Sequence, residues 1–152
     1  MLSISSIQTT LQAAIAAHPY FSGISVIVDD GRQDVAIETQ LIGNGFLVVI
    51  PPVLGGKSLS QAGGKLLLSA EIMVRVMLNP EANAAAGTGA QKGVYAAIAA
   101  VTAAVLGWRP AGGLPGTSEK LFEAATDFLA ISNFDPGLII YDLNFQKHTT
   151  PT

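Results

Sequence analysis

Residues 65–79, KLLLSAEIMVRVMLN, form one unbroken run in a chain otherwise punctuated by glycine and proline. Read with a period of two, Leu66, Leu68, Ala70, Ile72, Val74, Val76 and Leu78 fall on one side. Lys65, Leu67, Ser69, Glu71, Met73, Arg75 and Met77 fall on the other. That alternation predicts a strand with one apolar face and one mixed face, well beyond the usual length of about five or six residues. Such a strand builds a scaffold and carries almost no reactive chemistry. Function is therefore expected in surface and assembly more than in a reactive centre.

Composition points the same way. A chain of 152 residues is expected to form one domain, 1–152, with a core that needs no staples. It is 49% hydrophobic and only 12% charged, where about a quarter is usual. Sparse charge suggests surface hidden against neighbours, so oligomerisation or docking into an assembly is expected. A net charge of −3 leaves no electrostatic footprint for nucleic acid, and no like-charge block reads as a membrane patch. The absence of cysteine excludes disulfides, thiolate catalysis and cysteine-based zinc sites. MLSISSIQTTLQ lacks the basic start and apolar core of a signal peptide, and the apolar stretch 94–106 is too short for a bilayer. The expectation is a protein that remains in the cytoplasm until assembled.

Along the chain, Ile4, Ile7, Leu11 and Ile15 recur at helical spacing, with Ser5 and Gln8 as a capping box. His18-Pro19 should stop that helix, with His18 facing its C-terminal dipole. FSGISVIVD (21–29) reads as a strand ended by the turn Asp29-Asp30-Gly31, and 33–42 as a short helix capped by Asp34. FLVVI (46–50) reads as an apolar strand. The segment 53–64, VLGGKSLSQAGG, shows no periodicity and is expected to be a mobile loop with Lys57 near its tip. Residues 80–87 are expected as a loop, with Thr88 and Gln91 as a second capping box. The helix that follows puts Val94, Ile98, Val101, Val105 and Trp108 on one face, beside Ala97, Ala100 and Ala104. Further on, 121–125 suits a strand better than a helix, and 128–132 should pair with 138–146 as a hairpin. Residues 147–152 are expected as a flexible tail.

Several groups invite a chemical reading. Gly87-Thr88-Gly89-Ala90-Gln91-Lys92-Gly93 opens a helix after a strand, where an anion could bind. The Walker spacing is absent, however, and about eight residues separate strand from glycines, which spoils the tight turn. Asp29, Asp30, Asp34 and Glu38 cluster in sequence but read first as turn and cap residues. Trp108-Arg109 reads as an anchor at a helix end. His18 and His148 stand far from any serine elbow, so a nucleophile–base pair is missing. Glu71 and Arg75 share a face but are too far apart to pair, so each should meet a partner on another strand or subunit. No cofactor or metal is implied.

The order of segments forms a pattern of its own. HPYFSGISVIV closes a first helix, GNGFLVVIPP follows a short one, and VRVMLNP ends the long strand. LGWRP ends an Ala-rich helix and YDLNFQ forms the last strand. This ordered set resembles the bacteriophage tail terminator and tail completion family over nearly the whole chain. The resemblance implies an α+β domain with a mixed, largely antiparallel sheet of about five strands, packed with an N-terminal helix and the Ala-rich helix. It implies a ring, commonly a hexamer, that caps the tail tube and offers a surface to head or neck proteins, without catalytic residues. Partners would be further copies, tail tube proteins, and sheath or head-neck proteins. Within that expectation Glu71, Met73, Arg75 and Met77 face a neighbour or the tube, and Lys57 reaches across an interface. Two other readings stay open: a neck or baseplate adaptor of a phage or phage-like injection particle, and a small cytoplasmic nucleotide-binding protein or enzyme using the 87–93 loop.

Overall fold

The computed structural model describes residues 4–43, 45–51, 54–62, 65–85, 93–106, 108, 123–134 and 137–148. In chain order these form α1 (Ile4–Ala16), a 3-10 turn (Pro19–Phe21), β1 (Val26–Val28), α2 (Asp34–Gly43), β2 (Phe46–Ile50) and β3 (Leu54–Ala62). β4 (Lys65–Leu78), α3 (Pro80–Ala85), α4 (Val94–Leu106), β5 (Glu123–Phe134) and β6 (Leu138–His148) complete the order. The fold is α+β. One sheet runs β1-β2-β4-β6-β5, with β3 attached to β4 beside it. β1 and β2 are parallel and every other pairing is antiparallel.

β4 is the spine, as its alternation predicts. Its inner residues Ile72, Val74, Val76 and Leu78 lie opposite Phe145, Leu143, Tyr141 and Ile139 of β6. On the other edge, Val76 and Leu78 lie opposite Val48 and Phe46 of β2. α1 covers this inner face with Leu11 and Ile15, and α4 with Ala97, Ala100, Val101 and Val105. The alanines remove side-chain bulk on the stripe that meets the sheet, as their spacing suggested. Each large side chain sealed here contributes roughly 1.5–3 kcal/mol. Phe145, at 0% exposure, makes a T-shaped contact with the Phe128 ring, centroids 5.4 Å apart.

A smaller apolar cluster lies on the opposite face. Leu47, Val49, Met77 and Ile140 pack there beneath Ile37 and Leu41 of α2, with Ile27 and Leu138 at the margin. β2 is thus buried on both sides along its whole length, which explains its continuous apolar sequence.

Hydrogen bonds join these layers. Gln8, only 6% exposed, donates through Nε2 to the carbonyls of Asp29 (3.0 Å) and Ile50 (3.1 Å). Gln12 donates to the carbonyl of Val26 at 2.7 Å. Ser5 therefore does not stand at the expected cap position: the helix already includes Ile4, and Gln8 turns its Nε2 to the strand ends. His18 is also reassigned. Its Nδ1 accepts from the Tyr20 amide, so it caps the 3-10 turn that follows rather than facing the dipole of α1. The Tyr20 hydroxyl donates to the Gly93 carbonyl at 2.7 Å and ties that turn to the start of α4.

Other expectations shift at the boundaries. β1 spans only Val26–Val28, because the chain from 19 to 21 is taken up by the turn. Asp34 is the first residue of α2 rather than its cap, one position from the expected place. The expected loop at 80–87 contains α3, capped by Asn79, whose Oδ1 accepts from the Ala82 amide. β5 runs over 123–134, longer than the expected strand, and pairs with β6 as a hairpin. β6 continues through Lys147 and His148, opposite Ala70 and Ser69, so the expected tail does not begin at 147.

The largest correction concerns 53–64. Residues 54–62 form β3, antiparallel to β4, with only positions 63 and 64 between paired Ala62 and Lys65. Lys57 stands opposite Ser69 in the body of the strand, not at a tip. The pairing is backbone to backbone, which a Gly- and Ser-rich sequence supports without displaying any hydrophobic period. A second capping box at Thr88 and Gln91 lies outside the described residues, as do Arg109 and most of the 87–93 loop.

Candidate assembly surface

The mixed side of β4 is divided by α2. Near the C-terminal end of the strand, α2 covers Met77, leaving it 8% exposed inside the smaller cluster. Met77 is thus core within one chain. Glu71, Met73 and Arg75 lie beyond the reach of α2 and are partly exposed. The sequence pattern could not make this division, because all four residues share one strand face.

Arg75 meets its partner within the chain. It stands opposite Asp142 of β6, with Nε donating to Oδ1 at 2.7 Å and the second guanidinium nitrogen to Oδ2 at 3.4 Å. Their side chains are 33% and 16% exposed. The fork geometry suits arginine and the site is only partly screened by water, so the pair orders this part of the face. Of the two expected places for a partner of Arg75, another strand or another subunit, the adjacent strand supplies it.

Glu71 stands between Gln146 of β6 and Gly55 of β3, and Met73 stands opposite Asn144. Beside them the β5–β6 ladder breaks. Ala124 lies opposite Phe145 and Leu129 opposite Leu143, so residues 125–128 stand against Asn144 alone. The Asn144 amide fills the gap by donating to the Asp127 carbonyl at 3.0 Å. The irregularity opens a shallow cleft of about 150 Å³ between Glu71, Met73, Asp127 and Asn144. Sequence reading missed it, since a bulge of this kind leaves no period to detect; the signal present was the polar pair Thr126-Asp127 between the two expected strand segments.

The remaining sequence candidates fall elsewhere. Asp29 and Asp30 build the turn before α2: Asp29 Oδ1 accepts from the Gly31 amide at 2.8 Å and Asp30 Oδ1 from the Arg32 amide at 3.1 Å. The Arg32 guanidinium, hydrogen-bonded to Asp30, holds that carboxyl down to about 2. Asp34 and Glu38 are exposed on α2, and no group of three potential ligands converges on a metal position among the described residues. Trp108 is 7% exposed in the main core, as the anchor reading expects. No helix is long and apolar enough to cross a membrane among the described residues.

The surface thus belongs to an α+β domain whose sheet is sealed on one side by two helices and on the other by one helix over one end. The same architecture occurs in a solved chain of the virion of a native gene transfer agent particle, with a TM-score of 0.59 over 100% of both chains. Sequence identity across that match is 14%, so the likeness is one of fold. No family profile matches the chain, and no curated protein matches it in sequence.

Proposed function

We infer that this chain is a structural protein of a phage or phage-like particle, acting by assembly as a tail terminator or tail completion protein. The observation that carries the reading is the full-length correspondence of fold with a virion component. The partly exposed sheet face at Glu71, Met73 and Arg75 supports it, because a partly apolar sheet face in a chain with few charges is stabilised by contact with other subunits. In this reading identical copies form a ring, a hexamer by the resemblance of segment order, that ends the tail tube and presents a docking surface to head or neck proteins. Glu71, Met73 and Lys57 lie at the contact with a neighbour or the tube. Arg75 acts there from its place beside Asp142, and Met77 supports the face from beneath α2.

The neighbouring reading, a neck or baseplate adaptor, shares the fold but not the task. Deleting the gene in the producing strain and imaging its particles by negative stain separates them. A terminator predicts tubes that outgrow the normal length. Tails of normal length without heads would instead indicate a neck adaptor, and loss of tails altogether a baseplate part. Glu71→Lys in purified protein should lower the oligomeric fraction seen by mass photometry while leaving the melting temperature within about 2 °C. A compact monomer at micromolar concentration would sink the ring. The nucleotide-binding reading rests on the 87–93 loop, of which only Gly93 lies among the described residues; its carbonyl accepts from Tyr20 and Ala97.

A further inference from the structure

The sheet treats its edges unequally. At β1 the edge is short, and side chains of α1 answer its carbonyls: Gln12 bonds Val26, and Gln8 bonds Asp29 just beyond the strand. Among the described residues, β5 and β3 receive no such cover. Among those residues, β5 is a twelve-residue edge strand whose partner is β6, and β3 a nine-residue strand whose partner is β4. Long bare edges template further pairing, and chains that avoid it place lysine, proline or a covering element there. β5 has neither lysine nor proline and exposes Leu129 (42%) and Ile131 (55%).

Position and charge select the partner of each edge. β6 occupies one edge of β4 over 69–78, so β3, which pairs with 65–72, lies along the opposite edge with β2. β3 and β5 therefore bound opposite sides of the sheet. β3 extends with residues 65–68 past the end of β6, an overhang of about 13 Å at the usual rise per residue. β5 carries Glu123 and Asp127 and no basic residue, whereas the charge on β3 is Lys57. Pairing β5 with β5 of a second copy would bring acid against acid, and β3 with β3 lysine against lysine. Pairing β3 with β5 joins opposite charges.

We propose that β3 of one copy pairs along the bare edge of β5 in the next, continuing one sheet from subunit to subunit. Two different edges on opposite sides make a head-to-tail contact, which either closes into a ring or extends as a filament. The inference rests on the ring reading only in requiring a second copy; it adds which strands meet.

The chain lacks cysteine, so pairs of cysteines report proximity without background. Ala130→Cys would be combined in turn with Gly56→Cys, Ser58→Cys and Ser60→Cys, and each double variant treated with a short bis-maleimide. At least one combination should yield a covalent ladder of multimers in denaturing gels, while each single variant stays monomeric. Far-ultraviolet circular dichroism confirms folding of each variant, and mass photometry of the unmodified protein reports assembly independently. Multimers by mass photometry without any ladder would overturn the β3–β5 contact and leave the ring standing. Covalent dimers from a single cysteine would overturn it in favour of two-fold pairing. A monomer throughout would overturn both.

Discussion

The two faces of β4 are written in one strand yet behave as different materials. On the inner face Ile72, Val74 and Val76 are at or below 4% exposure, sealed between α1, α4 and the neighbouring strands. Among the described side chains of the outer face, only Met77 is buried, at 8%, while Glu71, Met73 and Arg75 remain partly open. The difference is one of coverage, since both faces alternate in the same backbone. A face that two helices cover is held by packing and tolerates little. A face covered at one end by a short helix leaves the other end available to a neighbour.

The sharpest way to break this contrast is Phe145→Ala on the inner side. It removes a fully buried ring and should cost about 3–5 kcal/mol in urea unfolding. A loss below about 1 kcal/mol would mean that the helices do not seal this face. Next comes Gly45→Ala, at the junction that hangs α2 and α3 on the strand ends. Gly45 has φ of +71°, its carbonyl accepts from the Asn79 amide, and a Cβ there would collide with the Asn83 backbone nitrogen. The expected loss is about 3 kcal/mol, from the backbone conformation and the clash together. Wild-type stability in that variant would show that α3 does not pack against this turn.

Within the outer face the contrast can be sharpened with one residue type. Met77→Ala should cost about 2 kcal/mol or more, whereas Met73→Ala should cost less than about 1 kcal/mol. Equal losses from the two would erase the division made by α2. A double-mutant cycle on Arg75 and Asp142 should give a coupling of about 1 kcal/mol, reduced by salt. Arg75→Glu is accordingly a poor probe of assembly, because it sets two acids side by side within one chain. The smallest effect is expected at the turn before α2. Asp30 is exposed, and its carboxyl is held at about 2 by the Arg32 guanidinium, below its unfolded value. Its contribution is therefore present above the ordinary value near 4 and fades as pH falls toward 2. A carboxyl NMR titration should show that low midpoint, and Arg32→Ala should move it upward, toward the ordinary carboxylate range.

How much of this was legible depends on whether the information lay in a period. The α4 stripe, the β5–β6 hairpin and the inner face of β4 each repeat a spacing, and each folds as that spacing predicts. β3 does not, because Leu54–Ala62 pairs through its backbone and its glycines and serines carry no pattern. Gln8 misled for a different reason. Its place three residues after Ser5 suits a capping box, but the carbonyls of Asp29 and Ile50 are 21 and 42 positions away in sequence. A long-range acceptor leaves no local trace. The same holds for the cleft near Asp127, which arises from a mismatch between two strands and belongs to neither alone.

By itself, then, the run of residues 65–79 determined a long strand with an apolar side that had to be covered, because alternation commits every second side chain to one face. It also listed which residues the other side would offer. Only the tertiary structure decided what became of them: Met77 went under α2, Arg75 to Asp142, and Glu71 and Met73 to the open cleft beside β5. Those outcomes depend on how far a helix reaches across a sheet and where a ladder breaks, and both are set by contacts between segments distant in the chain.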